Sequence, residues 1–189
     1  MITLNNRYVV VLDACVLAPM PLCDTLLRLA EEPAFFAPRW SQHIMDEVAR
    51  YLRKNKQPYT EAQISHRVTQ MNRMFEEASV EGYEALIPCM EGMEKDPNDR
   101  HVLAAAVRCG ADAIVTFNLK DFPTQALARY GVELMSPDHF LVHQYHLDPE
   151  TVMDRLKEQA SVVRCDLGQL LEKLEKVAPR FAVLAAKPL

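Results

Sequence analysis

The chain has 189 residues, with 21 Lys and Arg against 26 Asp and Glu for a net charge of −5, and is 49% hydrophobic and 25% charged. That length holds one packed domain and an appendage, and the composition excludes a collagen-like, rod-like or disordered chain. The opening MITLNNRYVVVLDAC lacks a basic leader, and its apolar run is too short to span a bilayer, so a cytoplasmic protein with no membrane association is expected.

Tyr8 through Leu12 form a continuous, β-branched apolar run ending at Asp13, as expected of a strand buried on both faces of a parallel sheet. Helical spacing follows over 22–31, and 34–37 (AFFA) read as a short strand. Ser41 is placed to N-cap an amphipathic helix carrying Ile44, Val48, Tyr51 and Leu52. A longer, more polar helix is expected over 60–79 and a weak strand over Tyr83 to Ile87. The segment DPNDRHVLAAAVRCGADAIVTFNLKDF reads as a helix stopped by Gly110, a buried strand from Ala113 to Thr116, and a polar loop. A strand from Val132 to Met135 and a helix over SPDHFLVHQY complete the alternation, which implies an α/β layered fold with a mainly parallel sheet. Beyond Tyr145 the pattern predicts helices over 149–163 and 166–177. The division expected is therefore a domain over 1–145 and a helical extension over 146–189. The stripe Leu167, Leu170, Leu171, Leu174 and Val177 requires a partner surface, on the domain and on a second molecule.

Five cysteines occur without a C-x-x-C pair, which suits reduced, buried thiols rather than a zinc site. Charge is segregated: 38–73 carries seven Arg and Lys against three acids, and 74–99 carries eight acids and Lys95. Arg39, Arg50, Arg53, Lys54 and Lys56 are candidates for contact with a phosphate backbone, and Trp40 or Tyr51 for stacking on a base; the equal alternative is that Trp40 packs in the core and the arginines solvate a helix.

Functional crevices of such sheets lie at the carboxyl ends of the strands. Asp13 ends the first strand, Asn118 and Asp121 follow a later one, Asp96 and Asp99 open the helix leading into it, and Glu47 lies on the helix after Ser41. Like charges gathered this way repel unless a cation sits among them. An all-oxygen set suits Mg²⁺ or Mn²⁺, which activates water for attack on a phosphodiester. Capping alone explains the DPND segment, and Glu47 and Asp121 taken singly are ordinary surface residues. A carboxylate after five apolar residues, as at Asp13, is harder to explain without a role.

Four segments in order, LDACVL, SQHIMDEV, DPNDRHVLAAA and ADAIVTFNLKDF, resemble the signature segments of PIN-domain proteins, in particular VapC-like toxins with a helical C-terminal extension. The resemblance covers roughly 7–145. It implies a Rossmann-like three-layer fold and a Mg²⁺/Mn²⁺-dependent ribonuclease whose metal ligands and catalytic residues fall on Asp13, Glu47 and Asp99. Where many relatives carry a further Asp this chain has Asn118, so Asp121 supplies the fourth carboxylate, with Asp96, Thr116 and Asn118 as outer residues. It also implies an RNA substrate, an antitoxin protein and a homodimer. A haloacid-dehalogenase-type phosphatase would need a second Asp at the position of Cys15, and a receiver domain a different order of acids. The remaining alternative is a PIN-like module that binds RNA or protein without cutting.

Overall fold

The computed structural model describes residues 8–55, 59–93 and 97–187. Lys56 and Asp96 lie outside the described residues. In chain order the elements are β1 (Val9–Leu12), α1 (Ala14–Leu17), α2 (Leu22–Ala30), β2 (Ala37–Ser41), α3 (Gln42–Arg53), α4 (Glu61–Met74), β3 (Ser79–Val80) and α5 (Arg100–Cys109). Then come β4 (Ala113–Val115), α6 (Thr124–Ala128), β5 (Glu133–Met135), α7 (Pro137–Leu147), α8 (Pro149–Val162), α9 (Leu167–Glu175) and α10 (Pro179–Ala185).

The strands form one parallel sheet in the order β3-β2-β1-β4-β5. Val10, Val11 and Leu12 of the central strand have no exposed surface, nor does any residue of β4, because helices flank the sheet. Parallel strands need a crossover between them, so each connecting helix runs back against the strands. The first turn of α3, directly after β2, and the start of α5, directly before β4, therefore sit at the carboxyl edge with Asp13. Ser41 caps α3 as expected, its hydroxyl accepting from the Ile44 N–H at 3.2 Å. Gly110 ends α5 with φ +62°, a left-handed turn that suits glycine.

Three expected elements are displaced. The strand expected over 34–37 begins only at Ala37 and runs through Pro38. Pro38 is tolerated because β3 pairs only with Trp40 and Ser41, so no ladder bond is lost on that side. The helix expected to reach 79 stops at Met74 and is followed by a 3₁₀ turn, Glu76–Ala78, and β3. The segment read as a strand from Tyr83 to Ile87 is instead a 3₁₀ helix, Glu84–Cys89, held from strand geometry by Pro88 and entered through Gly82 at φ +70°.

The C-terminal helices are integrated with the sheet domain. The Gln159 side chain of α8, with no exposed surface, accepts from the Thr25 hydroxyl at 2.8 Å and donates to the Pro21 carbonyl at 3.1 Å. A helix missing from the sequence reading, α10, covers the leucine stripe: Leu170, Leu174 and Phe181 are fully buried, and the Phe181 N–H donates to Asp138 at 3.0 Å. Its signals were Pro179 at the first helical position and the apolar spacing of Phe181, Ala182 and Ala185. No described helix is long and apolar enough to cross a membrane.

Candidate functional site

Asp13 is 4% exposed at the end of β1. Its Oδ1 accepts the Ala14 N–H at 2.6 Å, and its Oδ2 accepts the Thr116 hydroxyl at 2.6 Å and the Cys15 thiol at 3.2 Å. Thr116 follows β4, fully buried, and its Oγ1 also accepts the Asn118 N–H at 3.0 Å. The Cys15 sulfur in turn accepts the Phe117 N–H at 3.2 Å. The loops after two adjacent strands are thus tied together through one carboxylate. Cys15, which the sequence reading treated as a small buried residue, belongs to this network. Burial, and then the charge of Asp13, push its thiol up to about 12, so it stays a neutral donor.

Glu47 stands half-buried on α3, with Oε1 3.2 Å from the Arg50 guanidinium and Oε2 3.5 Å from His101 Nε2. Burial alone raises the Glu47 carboxyl, but the close approach of His101, with Arg50 and His43, outweighs it and holds the group below its ordinary value. His101 is 7% exposed at the start of α5. Together with His43, Arg50, Ile87 and Asn98 it lines a cleft of about 290 Å³ beside Glu47. Asp99 occupies the N-cap position of α5, but its side chain makes no capping hydrogen bond. The 3₁₀ turn Pro97–Asp99 runs directly into α5, which places the Asp99 carboxylate in the first turn of that helical stretch. Asp121 ends the 3₁₀ turn Leu119–Asp121, half-buried, with its N–H on the Asn118 carbonyl at 3.0 Å.

Two groupings result: Asp13 with Thr116 and Cys15, and Glu47 with the start of α5. Among the described residues no three His, Cys, Asp or Glu side chains form a metal cage. The donor chemistry still fits a hard cation. Asp13 is a buried carboxylate with no Lys, Arg or His in ion-pair range among the described residues, and its Oδ1 keeps a spare lone pair. Magnesium and manganese are commonly held by one or two carboxylates plus waters rather than by a complete protein cage.

The basic residues are dispersed. Arg50 borders the cleft, while Arg53 makes a two-pronged pair with Glu61 at 2.6 and 2.8 Å and Lys54 caps the end of α3. Arg39 lies on β2, donating to the Pro38 carbonyl at 2.9 Å, and lines a separate hollow with Arg73, Glu31 and Glu76. Trp40 is 1% exposed with its indole N–H on Asn72 at 2.9 Å, so it packs the core and offers no face to a base. Tyr51 is exposed. His43, which lines the cleft, and the buried Tyr83 that contacts it at 3.0 Å were missed; forty positions apart, they carry no local signal in the sequence.

The family model of the PIN domain matches residues 9–120, which spans β1 to the loop after β4. A curated relative, "Putative ribonuclease VapC50" of Mycobacterium tuberculosis, is 51% identical over 69 residues, covering 36% of this chain and 39% of that protein. The match therefore spans well under half of that relative's length. No solved structure matches the chain significantly. With the parallel sheet, the acid at the end of its first strand and a family match over more than half of its length, this chain belongs to the PIN domain family.

Proposed function

We propose that the protein is a Mg²⁺- or Mn²⁺-dependent endoribonuclease, and the toxin of a type II toxin–antitoxin pair, with Asp13, Glu47, Asp99 and Asp121 supplying its carboxylates. The observation that carries this reading is the buried Asp13 carboxylate, held by three donors and without a cationic neighbour among the described residues. Family membership and the ribonuclease description of the VapC50 relative support it.

In this reading Thr116 and Cys15 fix the carboxylate of Asp13, which would hold the ion through the lone pair left on Oδ1. Glu47, ionised through neutral pH because His101 and Arg50 favour its charged form, contributes a second oxygen from α3. Asp99 and Asp121 complete the acidic rim, with Asn118 positioning water. A bound ion supplies a water activated near neutral pH and neutralises charge developing on the phosphate. Arg50, Arg53 and Lys54 hold the strand, whose affinity then falls as salt rises. An antitoxin and a second copy of the chain are the proposed protein partners.

The test is cleavage of a defined single-stranded RNA by purified protein with Mn²⁺, before and after addition of chelator. Chelator-sensitive cleavage giving 5′-phosphate products is expected. RNA binding without cleavage at any metal concentration would transfer the protein to the non-cutting reading.

A further inference from the structure

Tyr83 is 2% exposed, and among the described residues its hydroxyl meets a single neighbour, His43. The His43 backbone N–H, one of the first-turn donors of α3 that lack a helical acceptor, reaches Tyr83 Oη at 3.4 Å. His43 Nδ1 lies 3.0 Å from the same oxygen. A phenol carries one proton and accepts through its lone pairs. With the backbone N–H donating into the oxygen, the acceptor within reach of the phenol's own proton is Nδ1. That contact fixes the neutral imidazole as the form with its proton on Nε2, the nitrogen turned away from Tyr83. The ring is also held between two others, with centroids 5.7 Å from Tyr83 and 5.2 Å from His101. An exposed histidine is thus immobilised in position, rotamer and tautomer at the edge of the cleft beside Glu47.

Arg50, whose side chain is 62% exposed, is the exposed cationic donor among the described residues that line this cleft, beside the exposed amide of Asn98. Guanidinium and Nε2–H are both donors, so they suit a ligand presenting several acceptor oxygens and no protons of its own, as a phosphodiester does. We propose that His43, fixed by Tyr83, joins Arg50 in binding the RNA phosphate next to the scissile one. His43 is then an RNA-binding residue and Tyr83 its positioning residue. This rests on the ribonuclease reading and names one subsite of it.

The experiment compares wild type, His43→Ala, His43→Gln and Tyr83→Phe on one single-stranded oligoribonucleotide. KM is read from cleavage with Mn²⁺, and Kd from fluorescence anisotropy in chelator. His43→Ala is expected to raise both about tenfold, one hydrogen bond to a charged group, with kcat and the Mn²⁺ requirement unchanged. His43→Gln, whose amide N–H reaches a similar place, is expected to restore most of the loss. Nitrogen-15 NMR of the imidazole in wild type is expected to show the Nε2–H form, and Tyr83→Phe to mix the tautomers. Unchanged KM and Kd in His43→Ala would overturn the proposal, as would an Nδ1–H tautomer in wild type. If Tyr83→Phe fails to fold, the exposed His43 variants decide alone. If wild type cuts no RNA, the nuclease reading falls, while the anisotropy arm still tests the subsite.

Discussion

Thr116→Val replaces a hydroxyl by a methyl of nearly the same shape at a fully buried position, and so isolates the bond to Asp13. Three contacts change. The 2.6 Å donation to Asp13 Oδ2 is lost, the Asn118 N–H loses its acceptor, and the Cys15 sulfur loses a 3.2 Å neighbour. Asn118 is exposed, so water replaces its partner at little cost. The bond to the buried carboxylate is the large contribution, and hydrogen bonds to charged groups are worth about 1.5–3 kcal/mol. Cys15 remains within reach of Oδ2 as a weak donor, which places the expected loss near 2 kcal/mol. For a chain of this size that lowers Tm by roughly 4–8 °C. The assay is thermal and urea unfolding in chelator, so that bound metal does not offset the loss, with Thr116→Ser as a control that keeps the hydroxyl. A loss below about 0.5 kcal/mol, within the scatter of ordinary surface substitutions, would refute Thr116 as the group that fixes Asp13.

Cys15, with its thiol pushed up to about 12, is expected to resist iodoacetamide at pH 8 in the folded protein, while the exposed Cys89 reacts readily. Peptide mapping after timed alkylation checks this, and equal labelling of both contradicts it. The raised value also carries a sign: the folded state holds the proton more tightly, so this contribution to stability is complete below about 9 and is lost as pH rises towards about 12. Gln159→Leu strips the two bonds that tie α8 to Thr25 and Pro21. It is expected to lower stability by about 1–3 kcal/mol by leaving buried polar groups unpaired, measured by urea unfolding; an unchanged midpoint would make α8 a loosely attached helix.

The parts of the fold legible as sequence are those in which a local pattern and the tertiary environment agree. The apolar run ending at Asp13, the Ser41 cap and the Gly110 stop each carry their own signal, and each stands where it was expected. Strand β2 was hidden because its APRWS segment mixes a proline, an arginine and a tryptophan, and only the two-residue partner β3 makes Pro38 acceptable. The 3₁₀ helix Glu84–Cys89 resembled a strand through its apolar residues, a feature that does not distinguish short elements.

At the site, the residue types at strand and helix ends pointed to Asp13, Glu47, Asp99 and Asp121, but nothing local reveals which side chains they touch. The bonds from Thr116 and Cys15 to Asp13 and the approach of His101 to Glu47 depend on neighbouring strands and helices meeting. Trp40 shows the opposite limit. An aromatic residue flanked by arginine suggested a surface for RNA, while its indole fills the core and spends its N–H on Asn72.

The central claim is that these carboxylates hold the ion that cuts RNA, and the rate of cleavage as a function of Mn²⁺ concentration in wild type, Asp13→Asn and Asp121→Asn tests it most directly. The account predicts saturable, metal-dependent cleavage in wild type. It predicts near-complete loss in Asp13→Asn with the fold intact, and a smaller loss in Asp121→Asn that added Mn²⁺ partly reverses. Wild-type cleavage that persists in chelator, or an Asp13→Asn protein with the wild-type metal response, would contradict it.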